Sequence, residues 1–244
     1  MKISVVTVCY NSEKTIEQTI ESVLNQTYTD VEYIIVDGKS TDHTIEIAER
    51  YREKFAEKGM EYHIISERDK GIYDAMNKGA RLATGKLVSM LNSDDWYEPN
   101  ALETVVNTYK EEPFDMFYGD IRIIKENGKE IIKHSKYDKI VTSRHWNHPT
   151  SFISKEIYDS MQYKCEGIHD DFDLFIRIRK ADKKIVIRNI VLANFRIGGI
   201  SNEKSFKKCK ERFLSRYSIY RNNGYSRLYI IECFIIEAVK FILS

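Results

Sequence analysis

The sequence predicts an α/β protein built around a doubly wound, mostly parallel central sheet. Residues 1–98 repeat one pattern, in which a β-rich apolar run is followed by a polar turn and then by an amphipathic helix. The apolar runs are nearly continuous, which is typical of parallel strands that are covered on both faces. At 244 residues with 42% hydrophobic content, the chain can form one large domain with a helical tail.

The charge balance excludes a strongly basic, nucleic-acid-binding type of protein, because 38 basic residues face 37 acidic ones. The four cysteines are widely spaced and form no CxxC pair, which favours a reduced compartment. The chain starts directly with a strand-like segment and shows no signal-peptide pattern. We therefore expect a cytoplasmic protein, either free or peripheral on the inner face of the membrane.

The regular first half predicts four strands, each followed by a polar turn. These strands span residues 3–10, 31–36, 62–66 and 86–91, and the intervening helices span residues 13–25, 44–55 and 73–83. In such a sheet the carboxyl ends of the parallel strands meet at one edge, where ligands bind. We therefore expect Asn11, Asp37, Asp69 and Asp94 to be neighbours in space.

The second half is less regular. After Pro99 the pattern predicts a helix to about residue 109, a strand at 115–118 and a hairpin of residues 121–125 and 129–133 around an Asn-Gly turn. Helices are predicted at 154–161 and 171–180, with short strands at 185–187 and 190–195. We expect residues 99–201 to form a smaller, acceptor-side half beside the ligand-binding half at 1–98.

The tail, residues 202–244, is predicted to form two amphipathic helices divided near residues 222–224. The last helix has an apolar face opposite its charged residues Glu232, Glu237 and Lys240. That face consists of Leu228, Ile231, Phe234, Ile235, Val239, Ile242 and Leu243. The charges interrupt the helix too often for a membrane span. Two alternatives stay open: the tail packs on the body or on a second subunit of a homodimer, or it lies on a membrane, aided by the basic residues of 207–227.

Several common motifs are absent or incomplete. The GKST turn at residues 38–41 lacks the upstream glycine of a phosphate-binding P-loop, because Tyr33 stands at that position. No GxGxxG, HExxH or GxSxG pattern occurs. His145 and His148 are interpreted as loop histidines rather than as a metal pair.

Acidic residues at the predicted strand ends are the strongest chemical signal. They are Asp37, Glu67, Asp69, Asp94 and Asp95, followed later by Asp170, Asp171 and Asp173 with His169. Such carboxylates suit a ligand that is rich in hydrogen-bond donors and carries a phosphate held through a divalent cation. A nucleotide diphosphate meets that description.

Six ordered segments give the chain a recognisable family resemblance. They are VVTVCYN, QTYTDVEYIIVDGKSTD, SERDKGIYDAMNKGARLATGKLVSMLNSDDWY, NHPTSF, HDDFDLFIRI and FRIGGIS. In this order they resemble the family 2 glycosyltransferases of bacterial surface-polysaccharide assembly, whose fold is called GT-A. The resemblance runs from residue 3 to about residue 201, so a GT-A domain is expected at 1–201, with the tail outside it.

The resemblance implies an inverting hexosyl- or N-acetylhexosaminyltransferase that moves a sugar from a nucleotide sugar, usually a UDP-sugar, to a saccharide or lipid-linked acceptor. It implies that Asp94 and Asp95 hold the ribose and an Mn²⁺ or Mg²⁺ ion on the diphosphate. In many relatives an aspartate stands where this chain has Asn92, so Asp95 is taken as the main ligand. By the same resemblance, Asp171 is the catalytic base. The other residues implied are Thr7, Tyr10, Asn11, Asp37 and Lys70 for the nucleotide, and His148, Asp170 and Arg196 on the acceptor side.

Two other functions are weighed against this one. A sugar-phosphate nucleotidyltransferase would carry a glycine-rich turn after the first strand, but here that turn is CYNSEK. A non-catalytic saccharide- or nucleotide-binding protein is opposed by the presence of both Asp95 and Asp171. Slow hydrolysis of a sugar donor would distinguish a transferase from a binding protein.

Overall fold

The computed structural model of the protein describes residues 1–197 and 205–243, with side chains described as far as Val239. Its centre is a nine-stranded sheet with the order β3-β2-β1-β4-β8-β6-β9-β5, and β7 pairs with β6 as a side branch. The strands are β1 Ile3–Cys9, β2 Val31–Asp37, β3 Glu61–Ser66, β4 Leu87–Met90, β5 Trp96–Tyr97, β6 Met116–Ile124, β7 Glu130–Lys133, β8 Phe152–Ser154 and β9 Ile185–Arg196.

The helices cover both faces of this sheet. They are α1 Ile16–Leu24, α2 Thr44–Glu49, α3 Arg52–Glu57, α4 Ile72–Leu82, α5 Ala101–Glu111, α6 Lys155–Ser160, α7 Asp170–Lys180, α8 Phe206–Asn222 and α9 Tyr229–Leu243. Apolar residues of α1, α2, α3 and α5 form one core cluster, and those of α4, α6, α7, α8 and α9 form the other. The doubly wound, mostly parallel sheet predicted from the sequence is confirmed.

The first four strands are parallel and in close register, with Cys9 opposite Asp37 and Asp37 opposite Ser66. β1, β2 and β4 are fully buried, which explains their nearly continuous apolar sequence. Because these strands end together, the polar turns after β1, β2, β3 and β4 lie along one edge of the sheet. The predicted helix at 44–55 is wrong in one respect, since residues 50 and 51 separate it into α2 and α3.

The second half differs from the prediction in how its strands are divided. The segments predicted at 115–118 and 121–125 form the continuous strand β6, and those at 185–187 and 190–195 form β9. The two strands pair in parallel, and the register shifts around Asp120 absorb the irregular sequence between the predicted pieces. β5 and β8 were not predicted, and 3₁₀ turns occupy Ser143–His145 and His148–Thr150.

The tail packs against the body through α8 and α9. The Tyr220 hydroxyl donates to the Val141 carbonyl at 2.8 Å, and the Tyr220 ring contacts Phe172 of α7 edge-on. Cys233 of α9 is buried in the same cluster, and Ile236 is also buried. The expected boundary at residues 201 and 202 lies outside the described residues. No helix in the described part of the chain has the length and apolarity needed to cross a bilayer.

Candidate active site

Three strand-end turns are tied to one another by hydrogen bonds. The Asn11 backbone NH donates to Ser40 Oγ at 2.8 Å, and its side-chain Oδ1 accepts from the Thr41 NH at 2.8 Å. Asn11 has a φ of 49°, a left-handed conformation that asparagine tolerates better than most residues. The Oγ atoms of Ser12 and Ser93 lie 2.8 Å apart, which joins the turn after β1 to the turn after β4. The expected clustering of these turns is confirmed.

Asp37 stands at the end of β2 and is fully buried. Its carboxylate accepts hydrogen bonds from the Ser40 NH and hydroxyl and from the Ser66 hydroxyl, the last at 2.6 Å. These contacts fix the turn after β2 against the end of β3. Recognition of a base by Asp37 stays a prediction, because both oxygens already have protein donors.

The turns after β2 and β3 approach each other at Gly38. A Cβ atom at this position would lie 2.7 Å from Asp69 Oδ2 and 3.4 Å from the Tyr10 ring. A side chain at residue 38 would therefore displace the Asp69 carboxylate. The Tyr10 ring beside Gly38 is 63% exposed, and Lys70 is exposed on the neighbouring turn. Both residues are thus accessible to a ligand at this edge.

Thr7 lies inside the protein rather than at this edge. It has no exposed surface, and its hydroxyl accepts a hydrogen bond from the Tyr33 hydroxyl at 3.0 Å. Tyr33 belongs to the core cluster on the α1 side of the sheet. This placement opposes the expectation that Thr7 contacts the nucleotide, because strand residues alternate between the two faces of a sheet.

The turn after β4 brings together Asn92, Asp94 and Asp95. Asp95 is fully buried, and its Oδ1 accepts from the Arg196 backbone NH at 3.3 Å. Asp95 Oδ2 and Asn92 Oδ1 are buried oxygens without a hydrogen-bond donor among the described residues. Burial raises the pKa of both Asp94 and Asp95, and for Asp95 the neighbouring charge of Asp94 raises it further. These two buried oxygens, together with the Asp94 carboxylate, form a set of oxygen ligands that fits a divalent cation.

Arg196 lies next to this acidic turn. Its guanidinium group stands 5.1 Å from the centre of the Trp96 ring and donates to Gln18 Oε1 at 2.5 Å. Its positive charge opposes the rise in the pKa of Asp94 and Asp95. The described contacts thus associate Arg196 with the acidic turn, which opposes the expected acceptor-side position. Residues 198–201 of the FRIGGIS segment lie outside the described part of the chain.

Asp171, at the start of α7, faces the start of α4. Its Oδ1 accepts hydrogen bonds from the Tyr73 hydroxyl at 2.9 Å and from the Phe172 NH at 2.8 Å. Within the described chain, no donor is recorded for Oδ2 of Asp171. Because Tyr73 directly follows the turn that carries Asp69 and Lys70, Asp171 is placed beside the same edge of the sheet.

His148 and Tyr163 complete the surroundings of Asp171. The His148 ring is half-buried, and its Nε2 lies 3.4 Å from the Tyr163 hydroxyl. Burial lowers the pKa of His148, while the charge of Asp171 acts in the opposite direction. The Tyr163 ring stacks on Tyr73 with a centroid separation of 5.4 Å. His148 is therefore within electrostatic range of Asp171, as the acceptor-side expectation requires.

Asp170 points away from this arrangement. Its Oδ2 accepts from the backbone NH groups of Glu166 and Gly167 at 2.7 and 3.3 Å, and the residue is 4% exposed. It lines a cavity between α7 and α8 that also contains Leu214 and Ser215. The expectation of an acceptor-side role for Asp170 is therefore opposed by the structure, because its carboxylate organises the turn before α7.

The sequence interpretation missed Tyr73 and Tyr163 as parts of the site. Tyr73 could have been predicted as a site residue, because its GIYD segment comes directly after a strand-end turn. No sequence pattern indicated Tyr163. A second acidic group, Glu32, Glu61 and His63, lies near the opposite edge of the sheet. Glu32 already accepts from Ser4 and Thr84, and Glu61 pairs with Lys2, so this group is explained by protein contacts.

Comparison with known proteins identifies the family. The sequence profile described as glycosyl transferase family 2 matches residues 4–186. The chain belongs to this family. It is 31% identical over 202 residues to a PGL/p-HBAD biosynthesis glycosyltransferase of Mycobacterium bovis, covering 78% of this chain and 76% of that protein. It is 30% identical over 229 residues to an uncharacterized glycosyltransferase of Methanocaldococcus jannaschii, covering 89% and 78%. The enzyme is therefore a family 2 glycosyltransferase.

Solved structures show the same fold. The family 2 enzyme superposes on S. aureus TarS 1-349 in complex with UDP with a TM-score of 0.68 at 20% identity, covering 96% of this chain and 69% of that one. It superposes on the mannosyltransferase PcManGT from Pyrobaculum calidifontis, in complex with GDP-Man and Mn²⁺, with a TM-score of 0.70 at 13% identity and the same coverages. The GT-A fold expected from the sequence is confirmed.

Proposed function

We propose that this enzyme transfers a sugar from a nucleotide sugar, with a UDP-sugar as the first candidate, to a hydroxyl of a saccharide or lipid-linked acceptor, and inverts the anomeric centre. The observation that carries the proposal is the position of Asp171. One oxygen of its carboxylate accepts from Tyr73, which follows the strand-end turn of Asp69 and Lys70. This position supports a base for the acceptor next to the donor site proposed below.

The donor site is assigned to the interlocked turns. The exposed Tyr10 ring offers a face on which a base can stack, and Asn11 and Asp37 position the turns around it. We assign the exposed Lys70 to the phosphates, as a source of positive charge, and Asp94 to the ribose. UDP and GDP-Man are bound by the structural neighbours named above, which supports a nucleoside diphosphate sugar here as well.

A divalent cation fits the acidic turn. Asp95 Oδ2, Asn92 Oδ1 and the Asp94 carboxylate would hold it, since carboxylate and carbonyl oxygens are the preferred ligands of Mg²⁺ and Mn²⁺. When bound, such an ion supplies positive charge that stabilises a diphosphate leaving group. The neighbouring Arg196 guanidinium adds a fixed positive charge at the same turn.

The chemical step needs one proton transfer and one displacement. Asp171 accepts the proton of the acceptor hydroxyl, whose oxygen forms a bond to the anomeric carbon on the face opposite the diphosphate. The bond between the anomeric carbon and the phosphate oxygen breaks, and its electron pair leaves with the nucleoside diphosphate. Because Oδ1 already accepts from Tyr73 and Phe172, we assign the proton to Oδ2. We assign His148, which faces the Tyr163 hydroxyl, to the acceptor side.

The proposal is tested with Asp171→Asn, using Asp170→Asn as a matched control at the neighbouring position. Asp171→Asn is expected to bind UDP with wild-type affinity by calorimetry and to lose transfer by a factor of about 10² to 10⁴. Asp170→Asn is expected to keep transfer, because its carboxylate serves the turn before α7. Near-normal turnover of Asp171→Asn would refute the assignment, and a product with the donor's own anomeric configuration would refute inversion.

A further inference from the structure

The outer face of α9 is apolar and exposed, and its two glutamates are turned inward. We define the outer face of α9 by Leu228, Ile230, Ile231, Phe234, Ile235 and Val239. Leu228 is 72% exposed, Phe234 69% and Ile231 57%. All of them except Ile230 belong to the apolar face that was predicted from the sequence to pack on the body or a second subunit, or to lie on a membrane. Their exposure leaves a second subunit or a membrane as the alternatives for this described part of the face.

The inner side of α9 contains its two glutamates. Glu237 accepts hydrogen bonds from Arg216 at 2.7 Å and from Arg212 at 3.1 Å. Glu232 accepts from both Arg144 Nε and a terminal nitrogen of the same side chain, at 3.1 and 2.7 Å. The negative charges of α9 are therefore neutralised by arginines beneath the helix, and they do not contribute to its outer face.

The helices α8 and α9 also have exposed basic side chains. Among the described residues these are Lys207, Lys210, Arg221 and Arg227, whereas Arg212 and Arg216 are already paired with Glu237. α8 and α9 run in opposite directions, because Cys209 contacts Glu237 while the Tyr220 ring contacts Tyr229. The exposed pairs Phe206–Lys207 and Arg227–Leu228 therefore mark opposite ends of the helical pair.

We propose that the outer face of α9 docks on an anionic lipid surface, with α9 lying parallel to it. The helix is 15 residues long, about 22 Å, and combines exposed apolar side chains with basic neighbours, as interfacial helices do. A second copy of the chain is a less suitable occupant. Two such faces in contact would bring their basic neighbours together, whereas an anionic headgroup layer attracts them.

The same surface is connected to the acceptor side of the proposed active site. Arg144 and Thr142 bind Glu232 of α9, and the segment continues directly to His148. Resting on the proposed function, this connection points to an acceptor that is itself anchored in the lipid surface. The docking proposal alone does not depend on the transfer reaction.

The test is co-sedimentation with vesicles of phosphatidylcholine mixed with phosphatidylglycerol, compared with vesicles of phosphatidylcholine alone. Three double variants are compared with the wild type. Ile231→Ser with Phe234→Ser removes apolar area from the outer face, and Lys207→Ala with Lys210→Ala removes charge. Ile131→Ser with Ile132→Ser removes similarly exposed side chains from the β7 hairpin as a control. UDP-sugar hydrolysis without vesicles is measured for every protein as a check of folding.

The wild type is expected to bind the anionic vesicles more tightly in low salt than in high salt. Ile231→Ser with Phe234→Ser should reduce the vesicle partition coefficient at least about tenfold, and Lys207→Ala with Lys210→Ala should reduce it about tenfold. Ile131→Ser with Ile132→Ser should leave it unchanged. Absent wild-type binding, or equal loss in the hairpin control, would overturn the proposal. A wild-type dimer that becomes monomeric in the α9 serine pair, seen by light scattering, would assign the face to a second copy instead. If the wild type binds vesicles but none of the proteins hydrolyses the UDP-sugar, the proposed function is refuted and the docking proposal stands.

Discussion

The Tyr73 hydroxyl donates a 2.9 Å hydrogen bond to Oδ1 of Asp171, across a sequence separation of 98 residues. This contact joins the start of α4, next to the donor-side turns, to the start of α7. Burial raises the pKa of Tyr73 well above its ordinary value, and the charge of Asp171 raises it further, so the phenol remains protonated and acts as a donor. Tyr73 is thus a positioning residue for the proposed base.

Tyr73→Phe is expected to lower kcat/KM about tenfold, because a hydrogen bond to a charged group is lost. The loss should appear in kcat, because the bond orients the proposed base, while the KM for the donor and the UDP affinity stay the same. Tyr158→Phe is the control, because its hydroxyl contacts Tyr163 rather than Asp171. A fall in kcat/KM that comes from a higher KM for the donor or from weaker UDP binding would indicate a structural role for Tyr73.

Asp95→Asn should weaken Mn²⁺-dependent binding of UDP at least about a hundredfold, because the orphaned anionic oxygen is replaced by an amide. The amide oxygen can still accept from the Arg196 NH, so the turn should be preserved. Asn92→Ala should weaken the same affinity about tenfold. Calorimetry with and without Mn²⁺ measures both effects, and the affinity measured without metal is expected to be similar in all three proteins. A wild-type response to Mn²⁺ in Asp95→Asn would remove Asp95 from the metal site.

Thr7→Val is expected to affect stability rather than binding. Without the threonine hydroxyl, the buried Tyr33 hydroxyl loses its acceptor, which should cost about 1–3 kcal/mol in the free energy of unfolding. Urea unfolding measures this loss. Adding Tyr33→Phe should restore most of it, since both polar partners are then gone. Weaker UDP binding at unchanged stability would instead restore Thr7 to the nucleotide site.

Glu237→Gln should destabilise the protein in a pH-dependent way. Burial tends to raise the pKa of Glu237, but the hydrogen bonds and charges of Arg216 and Arg212 lower it below its ordinary value near 4.5. The ionised group therefore stabilises the fold fully above pH 4.5, and this contribution is lost as the pH falls through the lowered value. At pH 7 the variant should lose about 3 kcal/mol, and the difference from wild type should shrink in acid.

Urea unfolding between neutral and acidic pH measures this effect, with Glu211→Gln as the control. Glu211 is exposed and pairs only with Lys208 among its described contacts, so its replacement should change stability by less than about 0.5 kcal/mol. A constant difference between wild type and Glu237→Gln across the whole pH range would contradict the assigned ionisation.

The first half of the fold was predictable because buried parallel strands leave long apolar runs in the sequence. β5 and β8 have two and three residues, too few to show a period, and they were therefore missed. β6 was predicted in pieces because Gly119 and Asp120 interrupt its apolar pattern where the register shifts, and β9 because Arg188 and Asn189 interrupt its own. The covering helices were predictable from their spacing, but the turn that separates α2 from α3 was not.

The acidic residues of the candidate site could be predicted from the sequence, but the orientation of their carboxylates could not. Asp170 and Asp171 are adjacent at the start of α7, yet one serves the preceding turn and the other faces Tyr73. The orientation of α9 was also hidden, because Arg144, which pairs with Glu232, lies 88 residues away in the sequence. Sequence periodicity describes which residues share a face of a helix, whereas the distant arginines decide which face is turned inward.

Glu232 of α9 pairs with Arg144 of the body, and Glu237 pairs with Arg212 and Arg216 of α8, which has a mechanical consequence. If α9 detached, Arg144, Arg212 and Arg216 would lose their carboxylate partners together, and breaking one buried pair alone costs about 3–5 kcal/mol. We therefore expect α9 to stay attached to the rest of the protein rather than to swing away from it. A surface that binds the outer face of α9 would therefore fix the orientation of the entire enzyme. It would also fix the distance between Asp171 and that surface.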